Sequence, residues 1–247
     1  MNSNPISGAG YLLQGLKLLF KPGIRPFVLI PLLINILVFS LLVWLGVAQF
    51  EQLMDRFLPD DESWLAWLRW LLWPLFAIAI VLVVFYTFTV IANLIASPFN
   101  GLLAEKVELY LGGELASQPS GAKQIMKDVL PALLSELRKL FYFLLRAIPL
   151  LLLFLIPVVN LAAPFLWLLF SAWFLALEYG DYPMANHSLP FKEQHQRLKR
   201  VRMTSLAFGG GLTAMMMVPL LNFLAMPAGV AGATVFWHRQ LQKMPKG

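Results

Sequence analysis

IPVVNLAAP (Ile156–Pro164) breaks an apolar run with two prolines and an asparagine, and VPLLNFLAMP (Val218–Pro227) repeats the pattern further along the chain. Each stretch has Pro, then Asn three residues on, then a second Pro, with about ten apolar residues before it and an apolar arm after it. A membrane-crossing helix with those residues at its centre would leave backbone groups without partners in lipid. A hairpin of two half-length helices turning at the Asn avoids this, and arms of about 10–13 residues match re-entrant segments. The alternative is two kinked full spans. Charge favours the hairpins. Single crossings would put the segment from Glu178 to Ser205 outside, yet it carries Arg197, Lys199, Arg200 and Arg202. Cytoplasmic segments collect Lys and Arg.

Working outward from the hairpins, about 147–177 and 206–237, the rest of the chain reads as one membrane domain over residues 1–247. Of these residues 59% are hydrophobic and 13% charged, about half the charged share usual for globular proteins. The formal charge of +6 follows from basic cytoplasmic loops, and no nucleic-acid partner is expected. There is no cysteine, so disulfides and thiolate metal sites are excluded. The first apolar run is too long for a cleavable signal, and no small-residue cleavage site follows it.

A first span is expected over about 26–50. Its stretch from Phe27 to Phe50 has no charge and would reach about 36 Å as a helix. A second is expected over about 70–100, behind a belt of Trp64, Trp67, Trp70 and Trp73. Between them Glu51, Asp55, Asp60, Asp61 and Glu62 oppose Arg56 and Arg69, net −3, whereas Lys17, Lys21 and Arg25 precede the first span. This places the N-terminus in the cytoplasm. Helical periodicity of Tyr11, Leu12, Leu16 and Leu19 predicts a surface helix over about 7–22. Residues 120–146 read as a long amphipathic helix, bent at Pro131. The fold class is therefore all-α: two long transmembrane helices, two re-entrant hairpins and amphipathic cytoplasmic helices.

Tyr86, Thr89, Asn93, Ser97 and Asn100 share one face of the second span, and Asn35 lies within the first. Two readings stay open, hydrogen-bonding glue between helices or a hydrophilic solute path. Pro98 and Gly101 are expected to loosen the helix before Glu105 and Lys106, which read as a solvated helix end or as part of that path. His187, His195 and His238 lie outside any metal-ligand pattern and read as solvated loop residues. No phosphate-binding glycine loop or nucleophile elbow is present, so no enzyme, metal or cofactor is expected.

The doorstep of the first span, LFKPGIRPFVLIPLLIN (Leu19–Asn35), is basic where a helix start is already positive. Lys21 and Arg25 could be interfacial anchors. Gly23 also permits close backbone approach, and the guanidinium fork of Arg25 beside exposed N–H groups suits a tetrahedral oxyanion.

KPGIRPFVLIPLLIN and IASPFNGLLAEKVE, in this order around the two spans, resemble the CysZ family of bacterial inner-membrane sulfate permeases. The resemblance runs over most of the chain. It implies sulfate binding at the family's Gly-Leu-Arg element, here Gly23–Ile24–Arg25, where Ile24 departs conservatively and would contribute only its backbone. It implies that Asn35, Asn93, Asn100 and Glu105 match polar positions near a hydrated core. It further implies two long helices with two hemi-penetrating hairpins, a homo-oligomer among membrane lipids, and sulfate supply for cysteine synthesis. Sulfate uptake across the inner membrane is the leading expectation. The alternatives are a permease for another oxyanion or small solute, and a structural protein that organises lipid. A membrane-bound enzyme is a more distant one.

Overall fold

The computed structural model describes residues 3–57, 66–113 and 122–245, and every regular element among them is helical. In chain order these are α1 (Pro5–Leu18), α2 (Pro26–Phe57), α3 (Ala66–Tyr110), α4 (Ala122–Leu153), α5 (Ala163–Asn186), α6 (Phe191–Arg200), α7 (Arg202–Met217) and α8 (Pro219–Phe236). A short 3-10 turn, Val159–Leu161, precedes α5, and a π turn, Trp237–Leu241, follows α8. Asp60, Asp61, Glu62, Trp64 and the first residues of the expected amphipathic helix lie outside the described residues.

The chain forms two compact units, Pro26–Phe99 and Met1–Arg25 with Asn100–Gly247. In the first, Phe39 meets Phe88 edge to face at 4.9 Å. A wholly apolar cavity of about 290 Å³ lies between α2 and α3, walled by Phe39, Val43, Ile80 and Val84. Leu33, Leu37, Trp44, Val81 and Val83 face outward. The stretch Pro26–Gly46 has a mean hydropathy of 2.7 and keeps none of its most apolar window buried. A helix apolar all round needs an apolar solvent.

In the second unit α4 and α5 run antiparallel. Phe143 packs on Phe170 and Phe174, Trp173 Nε1 donates to Tyr142 Oη at 2.7 Å, and Lys139 Nζ meets Asp181 Oδ2 at 2.8 Å. The reversal lies between Phe154 and Ala162, where Val158, after Pro157, takes φ 70°. α7 and α8 form the second reversal, with Phe208 facing Phe236 at 6.0 Å across it. This break falls at Val218–Pro219 rather than at Asn222. Val218 is extended (ψ 114°), as a residue before proline prefers, and Pro219 opens α8. Asn222 lies inside α8 and donates its N–H to Val218 O at 2.9 Å.

The core is built by close helix approach at small residues. A Cβ on Gly209 would overlap the backbone carbonyl of Ala172, so α5 and α7 can touch only because Gly209 has none. α1 lays Gly8, Leu12, Gly15 and Leu18 onto α7 and α8, with Tyr11 stacked on Phe236 at 5.1 Å. α3 continues through Pro98 and Gly101 instead of loosening there. Its far end is held by tertiary packing, since Leu103, Ala104, Val107 and Glu108 are all buried.

Among the described residues, three helical stretches are long and apolar enough to cross a membrane: Pro26–Gly46, Ala163–Asn186 and Pro219–Leu241. This is a membrane protein.

Candidate functional site

The turn after α1 is short and closed by backbone hydrogen bonds. Lys21 O accepts from the N–H groups of both Ile24 and Arg25 at 3.2 Å. Closing that turn requires φ +86° at Gly23, a conformation that favours glycine, and nothing lies within 4 Å of where its Cβ would be. Ile24 is 2% exposed and works as the peg that fixes the turn on the protein. Gly23 and Arg25 on either side of it are exposed. Arg25 Nε donates to Phe20 O at 2.6 Å, which orients the guanidinium and leaves its two Nη groups to form the fork. Among the described residues Arg25 makes no ion pair with a carboxylate. The geometry is a small, open cationic turn, able to hold a compact anion.

The other sequence-expected residues fall in different places. Asn35 belongs to the unit Pro26–Phe99, where its Oδ1 is shielded from solvent and has no hydrogen-bond partner among the described residues. The side chains of Thr89, Asn93 and Ser97 lie outside those that the structure describes. Asn100 is buried in the other unit and donates to Tyr182 Oη at 3.2 Å, while Asn186 donates to Gly101 O at 3.3 Å. Glu105 is half-buried on α3.

The carboxylate that the fold buries is Glu108, one turn beyond. It is fully buried, Oε1 lies 2.7 Å from His187 Nε2, and the same oxygen accepts from Trp237 Nε1 at 3.3 Å. His187 caps α5 and Trp237 opens the π turn, so one side chain ties the end of α3 to the ends of both hairpins. A second network lies at the base of the α4–α5 hairpin. Asp181 takes Lys139 on one oxygen and Gln194 Nε2 on the other at 2.7 Å, while Arg197 bonds Leu241 O at 2.6 Å and Glu193 Oε1 at 2.7 Å. The histidines therefore differ from the sequence expectation. His187 and His195 are partly buried and bonded because the helices carrying them fold onto α3 and α4. The signal for Glu108 was its spacing, since it shares a helical face with Leu103, Ala104 and Val107.

Residues 11–227 match the family described as Sulfate transporter CysZ/Etoposide-induced protein 2.4. The chain is 50% identical over 235 residues to a sulfate transporter CysZ of Pseudomonas fluorescens, covering 95% of this chain and 94% of that protein. It is 46% identical over 240 residues to the sulfate transporter CysZ of Pseudomonas syringae pv. tomato (97% and 95% covered), and 44% identical over 235 residues to that of Pseudomonas paraeruginosa (95% and 96%).

Proposed function

The chain belongs to the sulfate transporter CysZ/etoposide-induced protein 2.4 family, and from that premise we propose that it carries sulfate across the bacterial inner membrane for cysteine biosynthesis, as a homo-oligomer. The relatives' names supply the substrate class. The observation that carries the reading to a site is the Gly23–Ile24–Arg25 turn, an exposed guanidinium held on a buried isoleucine peg. Sulfate offers four acceptor oxygens and two negative charges to the Arg25 fork. Asn35, Asn93, Asn100 and Glu105 mark the route in this reading. Asn35 Oδ1 supports a hydrated route, because a shielded amide oxygen in an apolar unit needs a hydrogen-bond donor such as water. No covalent step is required of the protein. The experiment is radiolabelled sulfate flux into proteoliposomes that contain only this chain. Uptake above that of empty liposomes and suppressed by unlabelled sulfate is expected; uptake equal to empty liposomes would overturn the reading, and suppression by phosphate but not sulfate would point to another oxyanion.

Both hairpins enter the bilayer and return to the same side in this proposal. Support comes from where their apolar surface lies. Leu155, Val158 and Leu161 at the first tip are 75–81% exposed and Leu220 at the second is 82% exposed, whereas Leu177, Met184 and Ala231 nearer the bases are fully buried. The bases also hold the charged networks around Asp181 and Arg197. Lipid-facing tips on polar, packed bases suit partial penetration more than a full crossing. With no native cysteine, Lys21→Cys and Ser188→Cys should react alike with a membrane-impermeant thiol reagent in oriented vesicles. Opposite labelling would favour kinked full spans.

A further inference from the structure

Arg146 is a cation in an apolar neighbourhood. Leu144, Leu145 and Ile148 around it are all exposed, as are Leu151 and Leu152 further along α4. Its guanidinium folds back toward the N-terminal end of α4 and lies 3.7 Å above the Tyr142 ring, with Nη1 donating to Tyr142 O at 3.4 Å. This is a snorkelling posture, stem on apolar surface and head toward the polar boundary. The platform beneath it is fixed. Tyr142 Oη accepts from Trp173 Nε1 and lies 3.3 Å from His195 Nε2, and Phe191 packs edge-on at 5.8 Å.

The result is a groove of about 430 Å³ between α4 and α6, lined by Arg138, Phe141, Tyr142, Leu145, Arg146 and Phe191 among others. Arg138 and Arg146 both reach it, and among the described residues no acid lines it. The one acid of α6, Glu193, is tied to Arg197, and Asp181 is tied to Lys139 and Gln194. Among the described residues the groove thus carries two cations and no lining acid. Burial, with Arg146 and Lys199 nearby, holds the His195 imidazole below the usual histidine range. The groove also opens onto a row of exposed side chains, from Leu137 and Phe141 through Leu145 to Ile148 and Leu152. From Leu137 to Leu152 that row is about 22 Å long, somewhat more than one bilayer leaflet's ~15 Å of hydrocarbon.

Two cations at the head of an apolar strip match one class of molecule. We propose that the α4–α6 groove binds an anionic phospholipid, with Arg138 and Arg146 on its phosphate above the Tyr142 platform and an acyl chain along the exposed leucine row of α4. A zwitterionic lipid would bring its own cation into a groove that already has two. A free oxyanion would satisfy the arginines but leave the row uncovered.

Native mass spectrometry of the full chain, purified in detergent with equal phosphatidylglycerol and phosphatidylcholine, tests this. Wild type should retain phosphatidylglycerol over phosphatidylcholine by at least about tenfold, because both offer the phosphate and only phosphatidylcholine adds a cation beside two arginines. Arg138→Gln with Arg146→Gln should bring the two lipids to parity, and Arg146→Lys should fall between. Both arginines are exposed, so the helical circular dichroism of the double variant should match wild type. Parity in wild type, or a double variant that keeps the preference, would overturn the proposal. So would displacement of phosphatidylglycerol by millimolar inorganic phosphate, which would make the groove a free-anion site.

Discussion

Glu108→Ala is expected to lower the unfolding temperature of the detergent-purified protein by roughly 6–20 °C. The side chain is fully buried, and its removal leaves His187 Nε2 and Trp237 Nε1 facing a cavity with no acceptor. Breaking a buried pair from one side costs about 3–5 kcal/mol, and 1 kcal/mol moves a chain of this size by about 2–4 °C. Glu108→Gln keeps the volume and one acceptor oxygen, so its loss should be smaller. Glu105→Ala, three residues away and half-buried, should stay within about 0.5 kcal/mol of wild type. An unchanged melting profile for Glu108→Ala would mean that the end of α3 is held by apolar packing alone. The same variant should reduce sulfate flux, because Asn100 sits on the segment that comes loose.

Arg25→Ala is expected to weaken sulfate binding by at least about tenfold in calorimetric titration. A single charge-assisted hydrogen bond is worth about 1.5–3 kcal/mol, and 1.4 kcal/mol is a factor of ten. The loss should be specific to the fork. Arg25 Nε is already committed to Phe20 O, so the Nη pair makes the contact, and Arg25→Lys keeps the charge without that planar pair. Lysine should give an intermediate affinity. Folding should not suffer, since the side chain is exposed and removes positive charge from a positive helix pole. Equal sulfate affinity in wild type and Arg25→Ala would reduce the turn to an interfacial anchor.

The helical class could be read from composition and period, because an apolar run with no charge has few structural options. The breaks at Pro157 and Pro219 were legible because proline removes a backbone donor wherever it stands. The exact turning residue was not. Asn222 looks equivalent to Asn160, yet the second chain reversal precedes it, since Pro219 is acceptable at the first position of α8 and an exposed asparagine can stay helical. At Gly23–Arg25 the sequence offered a permissive glycine and a guanidinium fork, which are local properties; the burial of Ile24 was not legible, because it depends on packing with the rest of the fold. Glu108 was not, although its helical face could be counted, because its partners His187 and Trp237 lie 79 and 129 residues away. Its helical face separates it from Glu105, but nothing in its immediate sequence names its partners. The small residues of α1 show the same limit. Gly8 and Gly15 look like weak points in a helix until α7 and α8 are laid against them.

That last contact has a consequence for biosynthesis. Among the described residues α1 packs mainly on helices far along the chain: Ser3 Oγ accepts from Met203 N–H at 3.0 Å, and Tyr11 Oη donates to Gln240 across 229 residues of chain. At ~5–20 residues per second, a ribosome needs roughly 10–45 s to make that interval. Throughout it the glycine-lined face of α1 has nothing of its own to bind. The N-terminal helix is thus among the first segments made and among the last to dock, and it seals the bundle as α7 and α8 arrive. A nascent chain arrested anywhere before residue 202 would present that face, still open, to whatever membrane chaperone or neighbouring chain is at hand.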